Sequence, residues 1–165
     1  MIYRLTHKLA KKIYEKPEST LEPNPNHFCD WAADYFTSNR TGYILLTHTK
    51  SMLSAAFYGK GVNDDDAFIK QANEAIRDCL YENGFEFVFE SLMVPNLSPV
   101  HFSKVGNRQL SGIMVDLVRN AKWNLSREDL TPFDLAAKLN EIPQCTQKNA
   151  FPIKAFAALQ ANPDN

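Results

Sequence analysis

Apolar residues along the chain follow two periods, close to 3.6 in some stretches and close to 2 in others, and this alternation predicts the elements. Met1–Leu5 reads as a strand. Thr6 caps a short helix with Leu9 and Ile13 inward and its lysines in water, ending before Pro17. Ser19, Pro23 and Pro25 mark a loop over 18–25, and Asn26 is placed to cap a helix. Phe28, Trp31, Ala32, Tyr35 and Phe36 follow at the spacing of one helical face and predict that helix. Tyr43–Thr47 and Leu53–Tyr58, separated by the polar run His48–Ser51, predict an antiparallel hairpin. Asn63 opens a helix with Asp64, Asp65 and Asp66 in its first turn; Phe68, Ile69, Ala72, Ile76, Cys79 and Leu80 form its buried stripe, and Gly84 stops it. The run 85–92 fits either period and is assigned to helix. Pro99–Met114 reads as a short strand, a polar glycine turn and a helix start. The helix continues through Leu110, Ile113, Met114, Leu117, Val118, Ala121 and Leu125. Thr131 and Pro132 open another helix, Pro143 begins a loop, and a short helix follows Pro152.

Few strands among many helices, without regular βαβ alternation, indicate an α+β fold: a small, mostly antiparallel sheet covered by several amphipathic helices. No linker interrupts residues 1–165, so one domain is expected, with a flexible polar tail from about residue 160. A 44% hydrophobic and 22% charged composition is that of a folded globular chain. Cys29, Cys79 and Cys145 are odd in number and far apart, which fits neither a disulfide framework nor a metal knuckle and points to a reducing cytoplasm. No signal-peptide or membrane-spanning run occurs, so no membrane association is expected. The net charge of −1 gives no global pull toward nucleic acid. One local basic patch stands out: Arg4, Lys8, Lys11, Lys12 and Lys16 against Glu15.

The most chemical stretch is the turn at Gly106. Asn107 can cap the following helix while Lys104 and Arg108 present charge beside its free N–H groups, an arrangement able to hold phosphate or carboxylate. Its spacing matches neither a P-loop nor a dinucleotide fingerprint. The competing structural reading ties Lys104 and Arg108 to neighbouring acceptors and uses Gly112 for close approach of helix to sheet. Arg40, in the turn Asn39–Gly42, would complete a two-arginine anion grip if it converged with Arg108. His48 and His101 stand at or near strand ends and become candidate general bases if those strands are adjacent. The aspartate run reads as helix-dipole stabilisation, and Glu86 with Glu90 as solvated surface. No metal or cofactor signature accompanies these residues, and the basic N-terminal helix, with Tyr3 and Tyr14 nearby, reads as a solvated face or a nucleic-acid contact.

Arg4–Leu9, Trp31–Phe36, Asn39–Arg40 with Tyr43–Leu46, Phe102–Lys104 and Asn107–Met114, in that order, resemble an uncharacterised family of small bacterial proteins classed as a domain of unknown function. The resemblance implies a bacterial or mobile-element setting and one domain, and brings no activity. The function expected from the residues is a cytoplasmic binding or regulatory module for an anionic ligand, nucleic acid or protein partner, using Lys104, Asn107, Arg108 and Arg40. The alternatives are a hydrolase or phosphoryl-transfer enzyme using His48 or His101, and a structural or assembly subunit.

Overall fold

Five β-strands and five α-helices, given by a computed structural model that describes residues 1–143 and 151–161, build a five-stranded sheet with helices on both faces. In chain order they are β1 (Ile2–Leu5), α1 (His7–Lys12), β2 (Asp30–Ser38), β3 (Thr41–His48), β4 (Ser54–Tyr58), α2 (Asp65–Glu82), β5 (His101–Lys104), α3 (Arg108–Leu125), α4 (Pro132–Asn140) and α5 (Pro152–Ala161). The sheet order is β4-β3-β2-β1-β5. The β2–β3 and β3–β4 pairs are antiparallel, and β1 runs parallel to both β2 and β5. The class is α+β as expected, but the sheet is mixed. Its longer ladders are the antiparallel ones, the predicted hairpin among them, while the N-terminal strand inserts in parallel between elements far away in sequence.

The largest departure from the sequence reading is the predicted helix over 28–36. Only a 3-10 turn, His27–Cys29, forms there, capped by Asn26, and β2 follows from Asp30. The physical reason is burial on both faces. β2 is the central strand, so Trp31 and Ala33 enter one core while Ala32 and Phe36 enter the core of the opposite face. A strand covered on both sides has no polar alternation, and its apolar positions coincide with a helical stripe. The 85–92 segment is helical, containing a π-helical turn at Val88–Met93. Asp64, rather than Asn63, caps α2, its side chain accepting from the Ala67 N–H at 2.8 Å. α5 runs through Ala161, into the tail expected from about residue 160; the loop expected after Pro143, with Cys145, and the last four residues of the tail lie outside the described residues.

Strand alternation sorts the side chains into two cores. Tyr3, Leu5, Trp31, Ala33, Ile44, Leu46 and Phe57 meet α1, α2, the 85–93 segment and Phe156 of α5. Phe36, Tyr43, Leu45 and Ala56 meet α3 and α4. On that second face, toward the start of β1, Arg4 and Asp30 replace apolar side chains. They form a buried bidentate pair, Nε to Oδ1 at 2.7 Å and Nη2 to Oδ2 at 2.8 Å. Arg4 also donates to the carbonyls of Leu21 and Glu22, and Asp30 accepts the Asn24 N–H. Arg4 therefore does not belong to the basic surface patch. Its contacts pull the 18–24 segment along the outer edge of β5, where the Lys104 N–H bonds the Ser19 carbonyl.

His48 closes the β3–β4 turn from inside the first core. Its Nε2–H donates to the His27 carbonyl at 2.8 Å, and its Nδ1 accepts from the Ser51 N–H at 3.1 Å. Trp31 and Phe156 pack edge-on against the ring. Burial favours the neutral imidazole and lowers its pKa from 6.5 to about 4. The unfolded chain then binds this proton more readily, so the stabilisation is complete above pH 6.5 and is lost as pH falls toward 4. The loss amounts to about 3 kcal/mol. Denaturant unfolding at pH 7 and pH 4.5 checks this: the wild type loses more stability over that interval than His48→Gln, and equal losses would contradict it.

Candidate functional site

The β5–α3 turn holds the residues that the sequence singled out, and its backbone is fixed from two sides. Asn107 Oδ1 accepts the Gln109 and Leu110 N–H groups at 2.8 and 3.3 Å, capping α3. Lys104 Nζ donates to the Glu18 carbonyl at 2.9 Å. Gly106 lies against the 18–24 segment so closely that a Cβ there would stand 2.4 Å from Thr20 Cγ2 and 3.0 Å from Thr20 Cβ. The turn forms a wall between two concavities, with Lys104 and Val105 on one side and Gly106 and Asn107 on the other.

The first concavity is a groove of about 1120 Å³ between α1 and the turn. His7, Lys11 and Lys16 reach it from α1 and the residues after it, and Lys104 from β5, around an apolar lining of Leu5, Ala10 and Val105. Glu15 is the one carboxylate among its described lining residues. Tyr14 stands at the mouth, 82% exposed. Its backbone has φ of 60° because α1 ends in a Schellman turn, the Glu15 N–H returning to the Ala10 carbonyl at 2.9 Å. That position favours glycine, and a tyrosine there carries a left-handed backbone penalty of about 1 kcal/mol. A strained exposed aromatic beside converging cations is an arrangement that packing does not require.

The second concavity, of about 620 Å³, has the Arg4–Asp30 pair, His27, Thr49, Lys50 and Asn107 in its lining. Lys50 Nζ and His27 Nε2 are 3.2 Å apart, and the Asp30 carbonyl accepts from both the Thr49 N–H and its hydroxyl. Its charges are largely engaged within the protein, which makes it a polar joint between loops more than a receptive surface.

Arg108 is exposed at the start of α3, one turn before Ser111, which lines the groove, and is not itself among the described residues lining it. Arg40 does not join it. The neighbouring Asn39 side chain donates to the Leu125 carbonyl, placing Arg40 at the opposite end of α3, roughly 25 Å away at 1.5 Å per residue. His48 and His101 are not on adjacent strands. In register, His48 faces Trp31, Trp31 faces Tyr3 and Tyr3 faces Phe102, so β2 and β1 intervene, a separation of roughly 14 Å. His48 is fully buried with both ring nitrogens bonded, His101 is exposed, and neither is among the described residues lining the two concavities. Gly112 has open space where a Cβ would be, so it does not serve close helix–sheet approach; Leu110 and Met114 make that contact. Burial raises the thiol pKa to about 11 for Cys29 and about 12 for Cys79, keeping both protonated at neutral pH. Among the described residues no cluster of His, Cys, Asp or Glu could hold a metal ion, and no helix is long and apolar enough to cross a membrane.

Because Gly106 meets Thr20, Gly106→Ala lowers stability by about 1–3 kcal/mol, and Thr20→Gly in the same chain recovers most of that loss. Denaturant titration of the two single variants and the pair checks the coupling; purely additive effects would contradict it.

No curated protein matches the chain. A family model does match, over residues 2–155, spanning the sheet, α1 to α4 and the start of α5. With the parallel insertion of β1, the turn at Gly106 and both concavities inside the matched span, the chain belongs to the family described as Domain of unknown function (DUF6933).

Proposed function

We propose that the protein is a binding module that holds an anionic ligand with a flat or apolar body in the groove between α1 and the β5–α3 turn. One observation carries this reading: Tyr14 is presented in a strained left-handed conformation at the mouth of a groove where His7, Lys11, Lys16 and Lys104 converge from separate parts of the chain. The cations supply attraction and the apolar lining with Tyr14 supplies a stacking surface, the combination that holds an unpaired nucleotide or an acidic amphiphile. Lys104 keeps donors for a ligand after its single bond to the Glu18 carbonyl. Arg108 extends the positive rim and Asn107 fixes it by capping α3, whereas Arg40 is outside the site. A single-domain protein of the bacterial cytoplasm fits this reading. The cytoplasm accords with Cys29 and Cys79, both free and buried, and the bacterial setting rests on the sequence resemblance.

A short oligothymidylate and dodecanoate, titrated separately by calorimetry, test the site and distinguish the two ligand chemistries. Saturable binding of one of them is expected, weakening with salt if the oligonucleotide is the ligand. Lys11→Glu with Lys104→Glu reduces affinity by about tenfold or more, and Arg40→Ala leaves it unchanged. Tyr14→Gly separates function from stability: it relieves the left-handed strain and raises stability by about 1 kcal/mol, yet weakens binding about tenfold. Failure of both probes to bind, or affinity indifferent to Tyr14 and Lys104, overturns the proposal.

A further inference from the structure

The two edges of the sheet are finished differently. β5 is covered by the 18–24 segment, whereas β4 faces a groove of about 520 Å³ between α2 and α4. The hydrogen-bond phase of β4 follows from two bonds to β3 at its ends, His48 N–H to the Leu53 carbonyl and Gly59 N–H to the Gly42 carbonyl. With the register Leu46 to Ala55 and Ile44 to Phe57, residues 53, 55, 57 and 59 bond inward, and Ser54, Ala56 and Tyr58 turn their N–H and C=O groups outward. At Ser54 those outward groups are already paired. The Asn140 side-chain amide accepts the Ser54 N–H at 2.7 Å and donates to the Ser54 carbonyl at 2.9 Å, occupying the place of a peptide unit in a sixth strand. No hydrogen bond among the described residues reaches the corresponding groups of Ala56 and Tyr58.

The walls of this groove have one sign. Glu74, Asp78 and Glu82 line it from α2, and Glu141 from the end of α4, and no lysine, arginine or histidine is among its described lining residues. Arg77 pairs with Asp78 at 2.8 Å and offsets one of these charges, leaving the groove negative. Along this edge Ala56 is 8% and Tyr58 46% exposed, so the groove reaches solvent at the Tyr58 end, and a sheet edge is ordinarily blunted by lysine, proline or a covering segment. Here it is flanked by carboxylates and half-capped by an amide that already makes strand-like bonds.

We propose that β4 accepts an extended, lysine- or arginine-bearing peptide segment of a partner protein as a sixth strand, pairing antiparallel or parallel with Ala56 and Tyr58 while its basic side chains meet Glu74, Glu82 and Glu141. Backbone pairing supplies the register and the carboxylates supply the selectivity. This surface lies at the opposite edge of the sheet from the basic groove and stands independently of it.

The test uses an end-blocked hexapeptide of alternating lysine and valine, with an alternating glutamate–valine peptide as control, followed by amide NMR on the full chain. The lysine peptide is expected to shift the Ala56 and Tyr58 amides and slow their exchange with solvent, and the glutamate peptide to leave them unchanged. Ala56→Pro removes an outward N–H that the β3–β4 ladder does not use, and is expected to weaken binding about tenfold with the fold retained. Glu74→Lys with Glu141→Lys gives the same loss by charge and keeps the test decisive should the proline variant fail to fold. Unmoved Ala56 and Tyr58 amides at millimolar lysine peptide, or lysine-peptide binding indifferent to the charge reversals, overturns the proposal.

Discussion

The buried Arg4–Asp30 pair is the contact on which the placement of the site depends. A charge pair in a core offers little net stability compared with apolar residues of the same size, but removing one partner leaves the other charge uncompensated, at about 3–5 kcal/mol. What it supplies here is position. The guanidinium joins β1 to β2 through the Asp30 carboxylate and holds the Leu21 and Glu22 carbonyls, while the second carboxylate oxygen takes the Asn24 N–H. The docked 18–24 segment then receives Lys104 through the Ser19 and Glu18 carbonyls and packs Thr20 onto Gly106. From the ion pair to the groove wall the chain of contacts is continuous.

The same geometry explains how one short turn serves two concavities. Asn107 spends its side chain on the α3 cap, so the turn is rigid without help from a ligand. Lys104 projects to one side, where α1 and the residues after it bring His7, Lys11 and Lys16, and Gly106 and Asn107 face the polar joint on the other. The lysines of α1 and Lys104 are separated by most of the chain's first hundred residues, and it is β1 pairing with β5 that brings them together.

The elements whose signals are local were legible in the sequence: Thr6, Asn107 and Thr131 cap helices as read, and the β3–β4 hairpin forms where two β-rich runs flank a polar turn. β2 was not, because a strand buried on both faces loses the period that distinguishes it from a helix. Parallel pairing of β1 with β2 and β5 was illegible for a related reason: its partners lie far along the chain, and nothing in four residues encodes them. The site was read in pieces. The basic helix and the Lys104 turn were each visible, their convergence was not, and Arg4 looked like surface charge because its partner Asp30 sits within what read as a helix. Arg40 and Arg108 were equally polar in sequence, yet the length of α3 keeps them apart. The matching histidines at strand ends have two strands between them.

Hydrogen exchange on Arg4→Met measures the central dependence directly. If the ion pair places the site, the Leu21, Asn24 and Lys104 amides, which bond Ser103 Oγ, Asp30 Oδ2 and the Ser19 carbonyl, exchange like an open loop in the variant. The amides of β3 should slow or quicken only with global stability. Retained protection at Leu21, Asn24 and Lys104 relative to β3 would contradict that dependence.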